Sequence, residues 1–245
     1  MSTRESIFSN ARLTAAPLAP AQKLAAQPPL GLQKLGLSTG RKDGVLYVPS
    51  SYRHSSPTPL ILTLHGAGGN GLNGLSHLTD LAEQHGLILV SPDSKGSTWD
   101  FLRDGFGPDV AYTDTALKHV FGQYNIDPGR VCCSGFSDGA SYALSLGLTN
   151  GDLFTHILAF SPGFMRPMAF KGKPLVYVSH GDQDRVLNVD RCSRRIVPQL
   201  QSRGYIVQYH EFHGGHDVPA PIGSEGVQWF LQNQVAVNGI RQREL

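Results

Sequence analysis

Residues 130–139 read Arg-Val-Cys-Cys-Ser-Gly-Phe-Ser-Asp-Gly, and a helical pattern follows at once over residues 138–148. Residues 130–134 have strand character, so Ser137 stands at a strand-turn-helix junction. Gly135 and Gly139 flank it two residues away on either side. That spacing leaves room for a sharp turn holding a serine in strained backbone geometry, its hydroxyl exposed above a sheet. The helix N-terminus behind it favours negative charge. Ser134 and Ser141 are nearby alternatives, but neither lies between the two glycines. A bare Gly-x-Ser-x-Gly is a weak signal; its position after a strand gives it weight.

Working outward, short apolar runs alternate with longer helical patterns from about residue 44, the rhythm of an α/β protein. Strands are expected at 45–48, 60–64, 87–91, 130–134, 156–160, 175–179 and 206–211, with an antiparallel edge strand at 32–37. Helices are expected at 75–85, 110–124, 138–148, 190–202 and 224–235. The result is a mostly parallel, doubly wound sheet of about eight strands. Only residues 161–174 separate two of the strands, which leaves no space for a cap domain there and predicts an open site. Dinucleotide binding needs Gly-x-Gly-x-x-Gly between the first strand and its helix; in His65-Gly66-Ala67-Gly68-Gly69-Asn70-Gly71, Gly66, Gly68 and Gly71 have that spacing, but they follow the strand at 60–64 and not the first. A phosphate loop would end in Gly-Lys-Ser/Thr, which the chain lacks.

With 245 residues, 40% hydrophobic and 16% charged, the chain fits one large domain with a sizeable core. Twenty-one Lys and Arg against nineteen Asp and Glu give a net charge of +2, scattered along the chain. That is not the footprint of a nucleic-acid binder. Three cysteines, two adjacent at Cys132 and Cys133, make a disulfide framework improbable. No apolar run reaches transmembrane length, and the first thirty residues lack a compact signal-peptide core. A cytoplasmic protein is the expectation. Residues 1–42, rich in Ala and Pro with one acid, also suit a transit peptide; we read them as an integral arm leading into the edge strand, ahead of a catalytic domain over residues 43–245.

A serine nucleophile needs a base and an acid to orient it. His180-Gly181-Asp182-Gln183-Asp184-Arg185-Val186 follows the strand at 175–179 and offers Asp184 as the acid, with Asp182 as competitor. His216, in His213-Gly214-Gly215-His216-Asp217 beyond the last strand, is the candidate base. His210, His213 and His216 also invite a metal reading, but His210 and His213 straddle a strand end and no acid or cysteine cluster supports them. No metal and no cofactor is expected. The oxyanion of an acyl-transfer step needs main-chain donors, and Ala67 and Asp138 are the candidates. Trp99 and Phe164 are candidates for a substrate-binding wall, with Phe101, Met165 and Met168 beside them.

These pieces, with Asn125-Ile126-Asp127-Pro128-Gly129-Arg130-Val131, resemble the α/β-hydrolase superfamily over roughly residues 44–235. Within it they resemble the phospholipase/carboxylesterase group, which includes acyl-protein thioesterase-like enzymes, with polyhydroxybutyrate depolymerase-like esterases close by. The resemblance implies an α/β-hydrolase fold and cofactor-free hydrolysis of esters or thioesters through Ser137, His216 and Asp184. The thioesterase-like enzymes carry Gln after the nucleophile; Asp138 here argues against protein depalmitoylation. The expected substrate is a small-molecule carboxylic ester of small or medium acyl chain. The alternatives are a thioesterase or lysophospholipase-like hydrolase with the same triad, and a non-catalytic binding protein. A monomer or homodimer is expected.

Overall fold

In the computed structural model, residues 10–17, 28–40, 42–102 and 105–233 are described. The strands are β1 (Gly31–Lys34), β2 (Gly44–Val48), β3 (Thr58–Leu64), β4 (Ile88–Pro92), β5 (Ile126–Phe136), β6 (His156–Phe160), β7 (Leu175–Gly181) and β8 (Val207–Phe212). They form one eight-stranded sheet in the order β1-β2-β4-β3-β5-β6-β7-β8. β1 with β2 and β2 with β4 pair antiparallel, and every other pair is parallel. β3, β4 and β6 are buried at every position, as strands covered on both faces must be.

The helices are α1 (Gly71–Leu75), α2 (Thr79–His85), α3 (Pro108–Gln123), α4 (Asp138–Thr149), α5 (Ser193–Ser202) and α6 (Ala220–Gln232). Strand alternation sorts their contacts. Leu60, Leu62 and Cys133 pack with residues of α3 and α4 on one face, which Ile157 and Val176 continue toward α5. Ile61, Cys132, Leu158 and Tyr177 pack with α1, α2 and α6 on the other. The adjacent cysteines thus lie in different cores, and all three cysteines are buried and unpaired.

Three helices differ from the sequence expectation by three residues or more at a boundary. The segment read as one helix over 75–85 is two, because Asn70 caps an earlier start through a reciprocal bond pair with Asn73. The helix expected from residue 190 starts at Ser193, after a turn in which Cys192 N–H reaches Asn188 O at 3.1 Å. The last helix begins at Ala220, since a proline is tolerated in a first turn. Its expected final residues, 234 and 235, lie outside the described residues.

Residues 10–17 are pinned to the body. Arg12 forms a two-pronged pair with Asp152 at 2.9 and 2.6 Å. Asn150 receives the Leu13 N–H at 2.9 Å and donates to Ala11 O at 2.8 Å. Asp114 accepts the Thr14 and Ala15 N–H groups at 2.6 and 2.8 Å. Residues 1–9, 18–27 and Arg41 of the expected arm lie outside the described residues. Among the described residues no helix is long and apolar enough to cross a membrane.

Candidate active site

Loops leaving the carboxyl ends of β3, β5, β7 and β8 gather at one edge of the sheet, where ligands bind in such folds. At the end of β5 the chain turns into α4 with almost no clearance. A Cβ on Gly135 would strike the Gly139 carbonyl, and one on Gly139 the Leu64 carbonyl. Glycine is therefore required at both positions. Between them Ser137 adopts φ 58° and ψ −122°, a conformation L-residues avoid. The turn is held by Ser137 N–H on Phe160 O at 3.0 Å, and by Ser141, whose N–H and Oγ both donate to Ser137 O at 3.0 and 3.2 Å. Ser141 Oγ also accepts the Gly163 N–H at 2.9 Å, joining α4 to the 161–174 connection.

The loop after β8 brings His216 above this turn. Its Nε2 lies 2.8 Å from Ser137 Oγ, and its Nδ1 lies 2.6 Å from Asp184 Oδ2. The carboxylate can only accept, so Nδ1 carries the proton and Nε2 is free to receive one from the serine. Phe136 packs against the imidazole at 4.8 Å between ring centroids, the two rings inclined by 36°. Asp184 is 3% exposed, and its Oδ1 accepts the N–H groups of Val186 and Leu187 at 2.8 Å each. Burial alone would raise its pKa; the His216 bond and the two N–H donors outweigh it, and the carboxyl is held below its usual range. Asp182, the competing acid, faces solvent and bonds His213 Nδ1 and Gly214 N–H at 3.2 Å each. His210 turns away to Glu225, 2.6 Å distant, so the three histidines do not converge.

The loop after β3 approaches Ser137 from the other side. Gly68 N–H is committed to Ser97 O at 2.7 Å and Gly69 N–H to Gly66 O at 3.1 Å. Ala67 and Asp138 N–H groups have no main-chain acceptor among the described residues, which leaves both available to a ligand. The Asp138 carboxylate turns aside to accept the Thr98 hydroxyl at 2.7 Å, so its charge does not crowd this space. His65 braces the loop: Nδ1 donates to Gly66 O at 2.7 Å while Nε2 accepts Ser94 N–H at 3.0 Å. An open cleft of about 370 Å³ lies beneath, lined by Gly66, Ala67, His77 and Phe136.

Trp99 does not line a substrate wall. It is fully buried, stacked between His65 at 4.8 Å and Tyr142 at 4.9 Å, and its indole N–H donates to His65 O at 2.9 Å. Phe101 is likewise core. Phe164 is 38% exposed and stacks on Phe101 at 5.4 Å, so it alone of the expected pair presents a face to solvent. Sequence reasoning did not single out Thr98, His180 or Ser141's bracing role, whose signals are single polar residues indistinguishable from turn chemistry.

A family profile described as Phospholipase/Carboxylesterase matches residues 111–232. The chain is 27% identical over 216 residues to a probable feruloyl esterase C of Aspergillus oryzae, covering 74% of this chain and 78% of the relative. It is 29% identical over 182 residues to a bifunctional acetylxylan esterase/xylanase of Neocallimastix patriciarum, covering 70% of this chain and 24% of that protein. In structure it is similar to esterase PE8, with TM-score 0.64 and 22% identity over 79% of this chain and 99% of the other. It is also similar to a CE1 ferulic acid esterase from Anaeromyces mucronatus, with TM-score 0.63 and 17% identity over 91% and 98%. The strand order, the turn after β5 and these likenesses lead to one conclusion: the chain has the α/β-hydrolase fold, and over residues 111–232 it is similar to the phospholipase/carboxylesterase family.

Proposed function

We propose that this protein is a serine hydrolase that cleaves carboxylic esters of small or medium acyl chains through an acyl-enzyme on Ser137. The observation that carries the reading is the unbroken chain of hydrogen bonds from Ser137 Oγ through His216 to Asp184, at 2.8 and 2.6 Å. Ser137 attacks the ester carbonyl as His216 Nε2 takes its proton, and Asp184 steadies the imidazolium that forms. The N–H groups of Ala67 and Asp138 receive the oxyanion. His216 returns the proton to the leaving alcohol, and water then repeats the cycle on the acyl-enzyme.

The relatives that carry the names feruloyl esterase and acetylxylan esterase make aromatic and acetyl esters the first substrates to try. Phe164, exposed on the 161–174 connection, is the residue we assign to the acyl side. The three buried unpaired thiols support a cytoplasmic setting. A panel of nitrophenyl esters and matching thioesters of graded chain length, run on the wild type and Ser137→Ala, tests the reading. Turnover of short esters that vanishes in Ser137→Ala supports it. A preference for thioesters or long lipids would move the assignment to a thioesterase or lysophospholipase-like enzyme, and no turnover of any substrate would leave a binding protein.

A further inference from the structure

His180, the last residue but one of β7, is a buried histidine that the reaction as written does not use. Its Nε2 lies 2.6 Å from Leu187 O and 3.1 Å from Asp184 Oδ2. A carbonyl oxygen only accepts, so Nε2 carries the proton. In the neutral ring Nδ1 is then an acceptor, and the Ser193 hydroxyl meets it at 2.7 Å. Asp184 Oδ2 is also the oxygen that takes the His216 proton donor. The buried Nε2–H donates to Leu187 O at one end of the turn that presents the acid, and Asp184 Oδ2 lies beside it at the other.

We propose that His180 is a positioning residue for this reaction, its Nε2–H fixing the Asp184–Leu187 turn beside the Asp184 Oδ2 that His216 uses, with Leu187 O setting its tautomer and the Ser193 hydroxyl donating to Nδ1. The inference rests on Asp184 being the acid of the triad. Burial lowers the His180 pKa, which keeps the ring neutral. The titratable groups around it are Asp184 and His216 on the loops, Glu211 opposite it on β8, and Cys192 just before α5. Glu211 is held by Arg194 at 2.6 Å, and burial pushes the Cys192 thiol up, so neither competes for the ring. The N–H beside Oδ2 offsets part of the carboxylate charge that His216 feels. The hydroxyl of Ser193, by donating to Nδ1, strengthens the opposite N–H through polarisation along the chain.

His180→Leu removes the donor and keeps an apolar side chain in the core. It should lower kcat on a nitrophenyl ester by about 10- to 100-fold, because displaced supporting partners typically cost that much. KM should change little, since no substrate contact is lost. The acid limb of kcat/KM should move to higher pH, because a carboxylate stripped of that neighbouring N–H holds the His216 imidazolium more firmly. His180→Gln, which keeps an amide N–H near the Nε2 position, should restore most of the rate and the limb. A purely structural histidine would leave the limb in place. Wild-type kcat and limb in His180→Leu would overturn the proposal, as would a lost rate with an unmoved limb and no rescue by Gln. Should His180→Leu not fold, Ser193→Ala decides: a fall in kcat with the limb shifted the same way supports the role, and unchanged behaviour overturns it. Ser137→Ala run in parallel separates the claims. If it still turns over, the triad assignment fails; if it is dead while His180→Leu is normal, only the positioning role fails.

Discussion

Asp184 and Asp109 are 3% and 1% exposed, and each accepts two main-chain N–H groups, yet their carboxyls are shifted in opposite directions. Burial is the largest influence on both and raises both. At Asp184 the imidazole of His216 reverses it, and the net shift is downward. At Asp109 the Lys95 N–H, at 2.6 Å, lowers the pKa only partly, while the neighbouring Asp100 carboxylate adds to the rise, leaving it at about 6. Asp100 in turn accepts the N–H groups of Gly107 and Asp109 at 2.9 and 2.8 Å and faces Tyr142. The same residue type, shielded from solvent in both places, serves an ionised site in one region and a clamp in the other. Burial acts more strongly at Asp109 and the Asp100 carboxylate adds to it, whereas at Asp184 the His216 bond and the two N–H donors outweigh it.

The largest effect should separate these roles in activity. Asp184→Asn should lower kcat/KM by about 10³–10⁴-fold while leaving the fold intact, since the amide presents the wrong donor to His216 Nδ1. Asp109→Asn should stay within about tenfold of wild type, because it touches no group near Ser137. Steady-state kinetics on both variants makes the comparison, and equal losses would break it.

Next in size is the anchor between the regions. Trp99→Ala should destabilise the protein by about 3–5 kcal/mol by denaturant melts, the cost of a cavity at a buried indole plus the freed His65 carbonyl. If it were a substrate wall, KM would rise with little change in stability.

A smaller effect lies in pH. A carboxyl whose folded pKa is raised binds its proton more tightly folded than unfolded. Its contribution is fully present below about pH 4 and is lost as pH rises through about 6. Asp109→Asn should therefore flatten the decline of thermal stability between pH 4 and 6 relative to wild type. An unchanged slope would mean that Asp109 does not titrate in that window. The smallest effect belongs to the surface: Arg194 bridges Asp190 and Glu211 in the open, and Arg194→Ala should leave Tm within about 2 °C of wild type.

These differences explain what could be read in advance. The turn at Ser137 was legible because only glycine fits at positions 135 and 139, a steric demand written directly into the chain. The parallel strands were legible because full burial forces unbroken apolar runs such as residues 60–62. The preference for Asp184 over Asp182 needed the loop itself: the choice is made by the Val186 and Leu187 N–H groups, and every residue has one of those. Trp99 misled because an aromatic after a strand reads alike in a pocket and in a core. His180 escaped because β7 runs two residues past the strand expected at 175–179 and buries that side chain.

The central claim is that Ser137 Oγ is the nucleophile. Incubating the protein with a fluorophosphonate and mapping the adduct by peptide mass spectrometry tests it most directly. A single phosphonyl group is expected on the peptide bearing Ser137, formed more slowly in Asp184→Asn and not at all in Ser137→Ala. An adduct on another residue, or labelling that persists in Ser137→Ala, would contradict it.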